Sequence, residues 1–109
     1  VFSTYLGTDK KWLRKSEQLI LRELKNLRDR KLTTTGLHRA KQQLKGQYAL
    51  AKESGAGMMQ SIGKSLLVLE KVEDSATILS KIDNITAEEI LEAANYTFAP
   101  DKLSTLIYK

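Results

Sequence analysis

The stretch ITAEEILEAANYTFAP, residues 85–100, fixes where one helix must start and stop. Thr86 stands where an N-cap hydroxyl accepts from an orphan backbone N–H, and Glu89 three residues on completes a capping box. Ile85 before the cap and Ile90 at the fourth helical position form a hydrophobic staple. The spacing therefore predicts a helix from Ala87 to about Phe98, and Pro100, which has no N–H to give, stops it. Beyond it Leu103, Leu106, Ile107 and Tyr108 read as a final strand over about 102–108.

The same grammar runs back along the chain. Val1, Phe2, Tyr5 and Leu6 suit a pleated, half-buried surface and predict a first strand over about 1–7, broken by Gly7. Thr8 or Asp9 can cap a helix over Lys10 to Lys31, whose Leu13, Ile20, Leu24 and Leu27 share one face. Arg28, Arg30 and Lys31 suit the negative end of its dipole. Thr33 can cap a second helix over Thr34 to Glu53, with Leu37, Ala40, Leu44, Tyr48 and Ala51 along one side. Gly36 stands where a capping box would have Glu or Gln, and Gly46 costs about 1 kcal/mol in a helix interior relative to alanine. SGAG at 54–57 reads as a break, followed by a third helix carrying Met58, Ile62, Leu66 and Leu69. Paired methionines at this spacing read as adaptable core. Asp74 or Ser75 can cap a fourth, short helix bearing Ile78, Leu79 and Ile82.

The order strand, about five helices, strand predicts an α+β fold in which helices cover a sheet. Two isolated strands are marginal in water, so such a sheet needs strands from other polypeptide. On this view residues 1–109 form a single partial domain of a larger protein, and open sheet edges offer a route to homo-oligomers. At 109 residues with 41% apolar composition, one domain is the most the chain can hold. No run of about 18 apolar residues is present to span a membrane. Soluble expression in a bacterial cytoplasm or periplasm is equally compatible with a chain lacking cysteine.

The net charge of +5 is unevenly placed: residues 10–45 hold 12 Lys/Arg against 3 Asp/Glu, and residues 46–109 hold 6 against 9. A basic front half can attract nucleic acid, and LHRAKQQLKGQ has the residue types that read base edges. The alternation of those cations with a regular apolar stripe favours instead the solvated face of two amphipathic helices.

Candidate chemistry is sparse. His38 is the one histidine, beside Arg39 and Lys41, and no cysteine is present, so three protein ligands for a catalytic zinc would have to come largely from carboxylates. Glu88, Glu89 and Glu92 cluster, but acidic residues favour a first helical turn in any case. GKS at 63–65 lacks the upstream glycine and strand of a phosphate loop. No catalytic, cofactor-binding or metal residue is assigned.

Taken in order, YLGTD, LRELKNLRDRKLT, LHRAKQQLKGQ and above all KIDNITAEEILEAANYTFAPDKLSTLIYK resemble the latter part of a non-catalytic C-terminal domain in the insulinase/pitrilysin-type zinc peptidases. That family includes bacterial processing-protease-like proteins and mitochondrial processing peptidase subunits. The resemblance implies tandem α+β domains around a peptide-holding chamber, with zinc on an H-x-x-E-H helix of another domain. The family's substrate-holding Arg and Tyr would lie upstream of Val1, and Gly36 replaces an acidic residue common early in the second helix. It implies a segment that shapes the chamber of a zinc metallopeptidase and is inactive alone, with the rest of that peptidase as its partner and a peptide as the parent's substrate. The alternative is a small basic helical module that binds nucleic acid. A self-contained all-helical bundle with both chain ends non-extended would overturn the peptidase expectation.

Overall fold

The computed structural model describes residues 1–108. Five α-helices account for most of the chain: α1 (Leu13–Asp29), α2 (Thr34–Glu53), α3 (Gly55–Leu69), α4 (Ser75–Asn84) and α5 (Ala87–Thr97). Single 3-10 turns precede α1 at Lys10–Trp12 and follow α5 at Pro100–Lys102. No strand forms among the described residues.

The expected α+β fold is therefore corrected: the described chain is all helical, and the strands expected over 1–7 and 102–108 are absent. A strand persists only where its N–H and C=O groups find a ladder, and nothing here supplies one. Phe2 packs instead edge-on against Phe98, with ring centroids 4.9 Å apart and planes at 70°. Tyr5, Leu106 and Tyr108 stay exposed. With no sheet, the expected route to homo-oligomers through open sheet edges also lapses.

Helix boundaries follow the caps. Thr33 Oγ1 accepts from Gly36 N at 3.1 Å and starts α2 where expected. A Cβ on Gly36 would stand 3.1 Å from that same oxygen, so the glycine leaves the cap its room. Gly46 has open space around it, not a close neighbour. SGAG is sharper than a break: Ser54 ends α2 in extended conformation, and its Oγ accepts from Gly57 N at 3.2 Å to start α3. Asp74 Oδ1 accepts from Thr77 N at 2.7 Å and starts α4. Asp9 offers only its backbone carbonyl, to Trp12 N at 2.9 Å, and α1 ends at Asp29, two residues short of Lys31.

The chain divides into two compact units, residues 1–32 with residues 87 onward, and residues 33–86. In the first, α1 packs on α5. Leu13, Ile20, Leu24 and Leu27 of α1 are half-buried, as their spacing predicts, and Ala87 and Ala94 of α5 are buried. Asn95 Nδ2 donates to the carbonyls of Arg28 and Leu91, at 2.8 Å each, which satisfies one orphan carbonyl at the end of α1. In the second unit α2 packs on α3 and α4, and Ile82 is buried there.

Candidate functional site

The basic stretch 10–45 is the first candidate, and several of its cations have structural partners. Lys31 pairs with Glu88 at the start of α5. From α2, Lys45 pairs with the Asp83 carboxylate and Lys41 Nζ donates to the Asp83 carbonyl at 2.7 Å. Two cations thus meet the negative end of α4. Lys11 and Lys15 lie 5.6 and 5.2 Å from the centroid of the Trp12 ring. The surplus of cations in the front half is in part matched to acids and helix termini of the back half. The segment LHRAKQQLKGQ lies in α2, with His38 and Arg39 exposed.

The carboxylates are similarly engaged. Lys31 holds the Glu88 carboxyl below its ordinary range, chiefly through their hydrogen bond. Glu89 also has an interaction. Among the described residues no group of three or more His, Cys, Asp or Glu side chains could hold a metal ion. GKS at 63–65 lies within α3. Met58 and Met59 are exposed, contrary to the expectation of core.

What sequence reasoning missed is a cleft of about 320 Å³ within residues 33–86. Its apolar walls are Ala51, Met58, Ile62, Val72 and Ile78. Tyr48 and Lys52, four residues apart on α2, converge on Ser75 at the first position of α4. Tyr48 OH donates to Ser75 Oγ at 3.2 Å, Lys52 Nζ donates to the same oxygen, and Lys52 lies 5.9 Å from the Tyr48 ring centroid. Asp74 and Glu73 stand beside them. Hydrogen bonds from the Thr77 side chain and then its backbone N–H hold the Asp74 carboxyl below its usual range. Glu73 lies between Lys81 Nζ at 2.5 Å and Lys71 Nζ at 3.2 Å, and those bonds, Lys81 first, lower its carboxyl too. The signal available in the sequence was the i, i+4 pair Tyr48/Lys52. Its meeting with Ser75 depends on how α4 packs on α2, which no local pattern specifies.

Comparison with known proteins finds a partial similarity to a peptidase subunit. Over 77 residues the chain is 29% identical to mitochondrial-processing peptidase subunit beta of Saccharomyces cerevisiae. The matched stretch covers 71% of this chain and 17% of that protein, so the chain corresponds to less than a fifth of its relative's length. No family model matches the chain. No solved structure matches it either.

Proposed function

We propose that this chain is a non-catalytic segment of an insulinase/pitrilysin-type zinc metallopeptidase. It helps shape the chamber in which the parent protein holds peptides or unfolded protein segments for cleavage. The observation that carries this is the match to a peptidase subunit over 77 residues. The quoted motifs, ending in the capping box and Pro100, point the same way. The fold counts against it, since the sheet that the family resemblance implied is absent among the described residues. Zinc and its ligands belong, on this proposal, to another domain of the parent, because one histidine and no cysteine make a poor ligand set.

Two measurements test it. The isolated chain, incubated with zinc and an unfolded protein substrate, is expected to retain no stoichiometric zinc and to cleave nothing; stoichiometric zinc together with cleavage overturns the proposal. In the parent polypeptide, deletion of residues 1–109 is expected to abolish cleavage while zinc stoichiometry stays the same. Undiminished cleavage after that deletion also overturns it.

A further inference from the structure

We propose that the cleft of the 33–86 unit binds a small ligand with a carboxylate at the end of an apolar body, and that the carboxylate sits on Lys52 and Ser75. Three charged residues line the cleft: Lys52, Glu73 and Asp74. Glu73 is ion-paired with Lys71 and Lys81, whereas Asp74 accepts from Thr77 N as the cap of α4 and keeps its own negative charge. Lys52 is different. Its contacts are a neutral hydroxyl, that of Ser75, and the face of Tyr48, with no carboxylate at ion-pair distance among the described residues.

Donor counting then selects the chemistry. An ammonium has three donors and no acceptor. One of the Lys52 donors goes to Ser75 Oγ, which leaves two. That oxygen accepts from Tyr48 as well, so the proton of Ser75 is left to donate outward. Lys52 is exposed, so water takes those donors in the free chain, and an ionised carboxylate, with two acceptor oxygens and a negative charge, is the ligand group that best replaces that water. Met58, Ile62, Val72 and Ile78 supply the apolar remainder. Ligand sites are typically clefts of about 300–1,000 Å³ that are mostly apolar with a few convergent polar groups. The volume of about 320 Å³ limits the occupant to a short alkyl chain or one to two apolar side chains. Two sources offer that chemistry, a short fatty acid and the free carboxyl terminus of an apolar peptide. None of this rests on the peptidase assignment.

The test is an NMR titration of the isotopically labelled 109-residue chain with octanoate and with N-acetyl-leucyl-leucine, each beside its uncharged amide. Saturable shifts of the Ser75 and Ile78 amides are expected with at least one acid, and the matching amide is expected to bind about tenfold more weakly, as for loss of a charge-assisted hydrogen bond. Octanoate as the tighter acid assigns a fatty acid, and the dipeptide acid as the tighter assigns a peptide terminus. Lys52→Met is expected to weaken the acids about tenfold and leave the amides unchanged, and Ser75→Ala to weaken the acids several-fold, both with unaltered circular dichroism. Equal affinity for acid and amide, wild-type affinity in Lys52→Met, or shifts that never saturate overturn the proposal, and none of these outcomes bears on the peptidase assignment.

Discussion

Glu70 ends α3 in the left-handed region, at φ 55° and ψ 16°, with its N–H on the Leu66 carbonyl at 3.1 Å. A side chain with a Cβ is strained there, and glycine is the usual occupant. Glu70→Gly is expected to stabilise the chain by about 1 kcal/mol, read as a shift of the urea midpoint. The converse holds at Gly46 and Gly63, both inside helices with open space where a Cβ would stand. Gly46→Ala and Gly63→Ala should each add about 1 kcal/mol by the same readout. Asp74 sets a pH dependence. Its folded pKa lies below the unfolded value of about 3.9, so its contribution is present above that pH and is lost as pH falls through the folded pKa. In Asp74→Asn, which keeps an N-cap acceptor without the titration, that portion of the acid destabilisation should vanish. An unchanged acid limb in the variant would refute the assignment.

At the level of elements, the seam between α1 and α5 depends on the small face of α5. Ala94 is 4% exposed, whereas Ala93 points outward. Ala94→Leu is expected to cost about 1–3 kcal/mol by overpacking, with Ala93→Leu close to neutral. Equal effects in urea unfolding would mean that the seam is not close-packed there. These helices were largely legible in the sequence because their signals are local. Thr33, Asp74 and the 85–90 box place three starts, and Leu13, Ile20, Leu24 and Leu27 give the inward face of α1. The end segments were misread because a strand is not local. Val1, Phe2 and Tyr5 have the right residue types, but a strand needs partners, and Phe2 took the ring of Phe98 instead. The cleft was illegible for a related reason: Tyr48, Lys52 and Ser75 meet only through the packing of α4 on α2. Ser54 could have been found, since a serine just before a helical pattern is an N-cap signal.

For the molecule as a whole, the decisive quantity is how little is buried. Among the described residues the buried apolar side chains are Ile82 in the 33–86 unit and Ala87, Ala94 and Phe98 in the other, while Leu67, Val68, Met59 and Leu50 lie at 68–86% exposure. Burial of apolar surface is the main favourable contribution to folding, at about 25 cal/mol per Å², and a domain of this length ordinarily nets about 5–15 kcal/mol. Four buried residues, two of them alanines, cannot supply the usual share, so secondary structure here outruns tertiary packing. The helix starts are nonetheless well held, by the caps at Thr33, Ser54 and Asp74. Alone in solution, the chain is expected to show strong helical circular dichroism together with binding of the dye ANS at neutral pH, since exposed apolar surface with retained helices has that signature. Its urea unfolding should have an m-value near or below the bottom of the ordinary range of about 1–3 kcal/mol/M, because m scales with the surface newly exposed. A steep, cooperative transition with no dye binding would mean that these helices bury their apolar faces in solution, by self-association or otherwise. Sedimentation over a tenfold concentration range would then distinguish self-association, which shifts with concentration, from a compact monomer, which does not.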